Sequence, residues 1–170
     1  MDPREFAIPV SEIIPRLWLG NFNASKDKSF FQANRINVVF NCTKDLPFSG
    51  YAETQYRVPI DDNLEEAEIR NLALWSAEVA YKIANHYANG DRILVHCMAG
   101  MQRSAACIAI FLIMTNKWHT TDAIQFIRVK RAIAFYPKAN FMKSIQHFDE
   151  RFHNEILPAI QNKKINMNTI

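Results

Sequence analysis

The sequence holds only three cysteines in 170 residues: Cys42, Cys97 and Cys107. So sparse and odd a set does not make a disulfide framework, and the three read as thiols. Nowhere do eighteen apolar residues follow one another, so no segment reads as a membrane span. The opening Met1-Asp2-Pro3-Arg4-Glu5 lacks the apolar centre of a signal peptide. The expectation is a chain kept in a reducing compartment, cytoplasmic with the nucleus open to it. A net charge of +3 is too small to argue for nucleic acid or a membrane as main partner. His86, His119, His147 and His153 show no mutual ligand spacing, so the sequence offers neither a metal site nor a cofactor. Internal repeats, low-complexity tracts and Gly/Ser linkers are also missing.

What is present is an ordinary globular composition, 49% hydrophobic and 22% charged. The length suits one domain around a single core. That domain is expected over residues 1–160, with a frayed tail over 161–170 that is rich in Asn and Lys, and no room for a separate docking domain. A monomer or weak homodimer is expected.

Ile13 to Leu19, closed by Gly20, reads as one extended segment, and its Pro15 suggests an edge strand. Residues 24–34 read as a short helix. Ile36 to Cys42 is apolar and β-branched, a buried strand. A loop over Thr43–Glu53 and a strand over Gln55–Ile60 follow. Leu72, Trp75, Val79, Ile83 and Tyr87 recur at helical steps and predict a long helix that stops at Asn89-Gly90. Ile93-Leu94-Val95 is the clearest buried strand. Ser104 to Met114 is apolar nearly all round, as in a helix at the centre of a domain. Thr120-Thr121-Asp122 starts another helix. A last helix is expected to begin near Pro137, with Phe141, Ile145, Phe148 and Phe152 as its inner stripe. The order predicts an α/β domain with a small central mixed sheet and helices on both faces.

The informative stretch is His96-Cys97-Met98-Ala99-Gly100-Met101-Gln102-Arg103-Ser104. A buried strand delivers Cys97 to the edge of the sheet where ligands bind in open α/β folds. The turn after it can aim successive backbone N–H groups, from Met98 to Arg103, at one point, and the next helix adds its positive end there. Gly100 permits a backbone conformation that side chains resist. Arg103 contributes a planar, permanently charged fork matched to two phosphate oxygens. Such surroundings lower a thiol pKa, and a thiolate inside a phosphate cradle is a nucleophile aimed at phosphorus. Ser104 can hydrogen-bond the sulfur and ease its departure, and His96 is expected to brace the loop rather than act as a base. A Cys-x5-Arg spacing alone is a weak signal. The preceding His, the Gly, the following Ser and the strand-to-helix setting make it a strong one.

His96-Cys97-x-x-Gly100-x-x-Arg103-Ser104 resembles the signature loop of the protein tyrosine phosphatase superfamily, and the chain resembles its dual-specificity phosphatases over about residues 10–155. Leu17-Trp18-Leu19-Gly20, Ile36 to Thr43, Val58-Pro59-Ile60-Asp61-Asp62 and Pro137 to Phe141 are each similar to a family segment. Lys138 stands where the family usually has Asn, and Gln102 where Ser is common. The resemblance implies a cysteine-phosphatase fold and a phosphoprotein substrate. It also implies hydrolysis of phosphotyrosine, phosphoserine and phosphothreonine through a cysteinyl-phosphate. Phosphate-ester cleavage needs a proton for the leaving oxygen. By the resemblance that acid falls on Asp62, leaving Asp61 a turn role and Glu65, Glu66 and Glu68 the first turn of a helix.

Two readings stay open for Cys42: a small buried hydrophobe, or a redox partner of Cys97 at the end of a neighbouring strand. Cys107 reads as packing. Arg128, Lys130 and Arg131 read as a solvated helix end. The alternatives to a protein phosphatase are a phosphoinositide or RNA 5′-triphosphate phosphatase, a phosphoresidue-binding module without turnover, and a rhodanese-type sulfurtransferase. The first two enzymes tend to carry Lys, His or Asn inside the loop, where this chain has Met98, Ala99, Met101 and Gln102. Binding modules usually lose the cysteine or the arginine, and both are here.

Overall fold

A computed structural model describes residues 1–167 of the chain. Its centre is a five-stranded sheet built from β1 (Val10–Ile14), β2 (Leu17–Gly20), β3 (Val38–Asn41), β4 (Thr54–Arg57) and β5 (Ile93–His96). Their spatial order is β1-β2-β5-β3-β4. The first pair is antiparallel and the other three pairs are parallel. Every residue of β5 is buried, as befits the most apolar strand at the centre of a parallel sheet.

Alternation along the strands divides the interior. Leu17, Leu19, Val38, Phe40, Ile93 and Val95 enter the large core, whereas Trp18, Val39 and Leu94 point to the other face. There they meet Phe30 and Phe31 of α2 (Lys28–Asn34), which follows the short α1 (Phe22–Lys26). The large core is closed by α3 (Glu66–Ala88), α4 (Arg103–Asn116), α5 (Thr120–Lys130) and α6 (Met142–Arg151). Residues 104–113 of α4 are buried without interruption, so this helix is the axle around which α3, α5 and α6 pack. The α/β architecture with helices on both faces agrees with the sequence expectation.

Several boundaries differ from it, among them residues 24–34, which form α1 and α2 rather than one helix. The segment around Pro15 is a hairpin rather than one strand: Pro15 lies in the turn, and β2 behind it is paired on both sides. Proline suits a turn because its φ is preset, and it could not serve an interior strand, where its missing N–H would break the ladder. β4 stops at Arg57, so that the buried Val58 and Ile60 lead away from the sheet toward the loop after β5. The last helix of the core starts at Met142 and not near Pro137, because the residues between are bound to the side chain of Gln102, as described below. Beyond α6 a π-helical turn (Phe152–Ile156) passes into α7 (Leu157–Met167). The tail expected to fray from residue 161 is thus helical through Met167, and 168–170 lie outside the described residues.

The depth of α4 sets an expectation for stability. Ile108→Ala should lower the unfolding free energy by about 2–5 kcal/mol, since the cavity it leaves is walled on all sides. Leu74→Ala, at a position 84% exposed on α3, should change it by about 0.5 kcal/mol or less. Urea denaturation of the two variants checks the contrast.

Candidate active site

β5 ends at His96, and the next residue, Cys97, is 2% exposed at the floor of the loop that leads into α4. The loop turns back on itself at Gly100, whose φ is +64°. A Cβ added there would lie 2.5 Å from the carbonyl oxygen of Gly20 at the end of β2, so the turn requires glycine both for its conformation and for its closeness to the sheet. On the same side, the Phe22 N–H at the start of α1 donates to Met98 O at 3.0 Å. The loop is therefore pressed against the strand end rather than free above it.

Burial by itself would raise the pKa of the Cys97 thiol. It is outweighed by the Arg103 guanidinium, by the Ser104 hydroxyl and by the backbone N–H groups of Ser104 and Gly100, and the net shift is downward. Ser104 Oγ donates to Cys97 Sγ at 3.1 Å. Arg103 is oriented by a bond from its Nη1 to Ile60 O at 3.1 Å, the carbonyl that the segment after β4 carries to the loop. Its Nε is a buried donor with no protein acceptor among the described residues, a costly state for a charged group unless an oxyanion is to meet it. His96 is buried beneath the loop with Nδ1 3.4 Å from Cys97 O. Burial, foremost, holds its pKa down at about 4, so the ring is neutral at pH 7.

The two aspartates are separated by their partners. Asp61 pairs with Lys44 at 2.9 Å, and its N–H donates to Glu68 Oε2 at 2.9 Å. Lys44 also meets Glu68 Oε1 at 2.6 Å. Asp61 thus has the structural role, and Glu68, read from sequence as a first-turn helix carboxylate, also clamps the turn. Asp62 is exposed, and its Oδ1 accepts from Asn140 Nδ2 at 2.9 Å. Asn140 in turn donates its backbone N–H to Gln102 Oε1 at 2.9 Å. Gln102 Nε2 donates to Tyr136 O and Lys138 O, at 3.1 and 2.9 Å. One glutamine therefore fastens the 136–140 segment to the loop and, through Asn140, joins the Asp62 carboxylate to it.

Sequence reading missed one brace altogether. Arg131 was expected in a solvated basic run, but it is 3% exposed. Its Nε donates to Gly100 O at 2.8 Å, its Nη2 reaches Ala99 O at 3.4 Å, and its Nη1 donates to Ile8 O and Ser11 Oγ. Burial lowers its pKa to about 10, still charged at neutral pH. The only signal in the sequence was its position just beyond the apolar face of a helix. Arg128 also bonds inward, to Ala134 O and Phe135 O, while its neighbour Lys130 is exposed. Cys42 follows Asn41, which stands opposite His96 in the β3–β5 ladder, so it adjoins Cys97 along the sheet edge. Its thiol, however, points at Cys107, with 3.6 Å between the sulfurs, and burial, then Cys107, pushes its pKa well up.

Two outcomes follow from this geometry. Gly100→Ala should destabilise the fold by more than about 1 kcal/mol and weaken binding of inorganic phosphate, because neither the φ nor the Gly20 contact tolerates a methyl group. Calorimetry with and without phosphate measures both. For His96, the unfolded ring takes up a proton below its ordinary 6.5 and the folded ring only below about 4. Its contribution to stability is therefore complete above pH 6.5 and is lost as pH falls from there through 4. His96→Asn should flatten the pH dependence of the urea midpoint in that interval, and an unchanged slope would refute the assignment.

Residues 17–151 match the model of the family described as dual specificity phosphatase, catalytic domain. The chain is 31% identical over 132 residues to Dual specificity protein phosphatase 2 of Mus musculus, covering 77% of this chain and 40% of that protein. It is 30% identical over 141 residues to Dual specificity protein phosphatase 1 of Homo sapiens, covering 82% and 37%. It thus spans 40% or less of the length of these curated relatives. Its fold matches the crystal structure of human DUSP28 with a TM-score of 0.74 at 22% identity, over 86% of this chain and 96% of the other. With that family's model matching residues 17–151, most of the chain, the chain belongs to the dual specificity phosphatase family through its catalytic domain.

Proposed function

We propose that the chain hydrolyses phosphate monoesters on protein side chains through a cysteinyl-phosphate. The observation that carries this reading is the Cys97–Arg103 pair: a thiol whose pKa is lowered, in the same loop as a guanidinium with one buried donor unmatched among the described residues. In the first step the Cys97 thiolate attacks phosphorus and the P–O bond to the side chain breaks. Asp62 gives its proton to the departing oxygen. Arg103 and the loop amides of residues 98–103 hold the equatorial oxygens, whose charge they match best in the transition state. In the second step the Asp62 carboxylate takes a proton from water as that water attacks phosphorus. The S–P bond breaks, inorganic phosphate leaves, and the sulfur departs as a thiolate eased by the Ser104 hydroxyl at 3.1 Å.

Substrate class is argued from the loop. Met98 and Ala99 are exposed, Met101 is half-buried, and none carries charge. With Arg103 as the only basic group in the loop, single phosphates on phosphotyrosine, phosphoserine or phosphothreonine suit the site better than a polyphosphate or a phosphoinositide, whose extra charges would find no partner there. Phosphotyrosine has the better leaving group.

Cys97→Ser should abolish turnover of an aryl phosphate while phosphopeptide binding persists. Asp62→Asn should slow poor leaving groups by about 10²–10⁴-fold and activated aryl phosphates much less, with Asp61→Asn affecting turnover little. Steady-state kinetics on phosphopeptides, phosphoinositides and triphosphate-ended RNA tests the whole reading. Parent-like rates from Cys97→Ser would end the mechanism, and a preference for either non-protein substrate would end the substrate assignment.

A further inference from the structure

Three potential metal ligands, none of them a residue of the phosphate loop, meet where α5 begins and α6 ends. His119 caps the start of α5, Asp149 lies in the last turns of α6, and His153 follows in the π-helical turn. His119 Nδ1 is 3.0 Å from Asp149 Oδ1, and His153 Nδ1 is 2.8 Å from the same oxygen and 3.0 Å from Asp149 O. The imidazoles stack, with centroids 4.3 Å apart and 29° between planes. Each residue offers one ligand atom such that all lie within 4.8 Å of one another. Sequence spacing gave no hint of a ligand set, because it is the packing of α5 against α6 that brings residue 119 to residues 149 and 153.

We propose that His119, Asp149 and His153 form a binding site for a divalent ion of the zinc class, with two imidazole Nδ1 atoms and Asp149 Oδ1 as ligands and a fourth position open to water. The donor set fits: two imidazoles and a carboxylate, with one open position, suit tetrahedral zinc. Ligands about 2.1 Å from a tetrahedral ion lie roughly 3.4 Å from one another. The present contacts of 2.8 and 3.0 Å would have to open by only about half an ångström.

The surroundings orient the ligands as metal sites require. The second carboxylate oxygen, Asp149 Oδ2, accepts from Thr120 N at 2.7 Å and Thr120 Oγ1 at 2.8 Å, which leaves Oδ1 turned to the histidines. With His153 bound to metal through Nδ1, its ring proton moves to Nε2. That nitrogen lies 3.4 Å from Lys117 O, a carbonyl presented by the left-handed residue that ends α4. The metal-ligating tautomer therefore gains an acceptor there in exchange for the Nδ1–H contact with Asp149 O at 3.0 Å. His119 is exposed, so an ion can enter from solvent. Asp149 and His153 are mostly covered, so the ion is held against protein on one side.

The ion would be structural. It would tie the α4–α5 corner to the end of α6, two helices whose other ends carry Arg131 and follow Asn140, both braces of the phosphate loop.

The test uses the full chain in a Cys97→Ser background, which removes the Cys97 sulfur as a competing zinc ligand. Calorimetric titration with Zn²⁺ should give one equivalent bound, and excess Zn²⁺ should raise the thermal midpoint by a few degrees. Co²⁺ should give the visible bands of a four-coordinate N/O site without thiolate charge transfer. His119→Ala, an exposed position, and His153→Gln should each weaken binding at least about tenfold and remove the thermal shift. Absence of stoichiometric binding, or equal binding by the double histidine variant, would overturn the proposal. Thiolate charge transfer in the cobalt spectrum would also overturn it, by moving the ion to Cys42 and Cys107.

Discussion

A buried anion is costly, by several kcal/mol even after the protein relaxes around it, and the loop after β5 gathers around Cys97 the charge and donors that would offset one. Cys97 is almost wholly covered, yet its pKa lies below that of an ordinary thiol. That combination demands positive charge and hydrogen-bond donors converging on one sulfur atom. Arg103 supplies the charge, and the Ser104 hydroxyl with the Gly100 and Ser104 amides supplies the donors. Everything else around the loop keeps those groups from relaxing away. A phosphate oxyanion asks for the same donors, so stabilising the thiolate and receiving the substrate are one structural problem solved once.

The braces come from opposite sides. Beneath the loop are the end of β2, through the Gly20 contact with Gly100, and His96, kept neutral by burial. On one flank Arg131 binds the carbonyl oxygens of Ala99 and Gly100 and ties them to the segment before β1. Two of the loop's carbonyls are thus drawn to a guanidinium, while the Gly100 and Ser104 N–H groups turn to the Cys97 sulfur. On the other flank Gln102 fastens residues 136–140, and Ile60 O fixes Arg103. The Asp62 carboxylate is joined to the same framework through Asn140 but remains exposed, as the proton transfer proposed for it requires.

The helices give these braces their rigidity. α4 begins at Arg103 and is buried from Ser104 to Ile113, so Arg103 stands in the first turn of the most deeply buried helix of the large core. α5 ends one residue before Arg131, and α6 begins soon after Asn140. Movements of either helix would be felt at the loop, and the His119–Asp149–His153 corner is where the two meet at their far ends.

The sequence by itself determined the elements that depend on neighbours in the chain. The central strand Ile93–His96, the wholly apolar helix after it and the long amphipathic helix over 66–88 are written in hydrophobic periodicity, which is local. Cys97, Gly100, Arg103 and Ser104 lie within eight consecutive residues, so one strand, one turn and one helix suffice to assemble them. Only the tertiary structure decided what distance along the chain conceals. Arg131 looked like surface charge because its acceptors are backbone carbonyls, which any residue can offer and no sequence pattern marks. The start of α6 moved from Pro137 to Met142 because a glutamine some 35 residues earlier competes for that backbone. Which aspartate is ion-paired turned on Lys44 and Glu68, and the histidine–aspartate corner on how two helices cross. Periodicity reports which face of an element is buried; it does not report which distant polar group that face will meet.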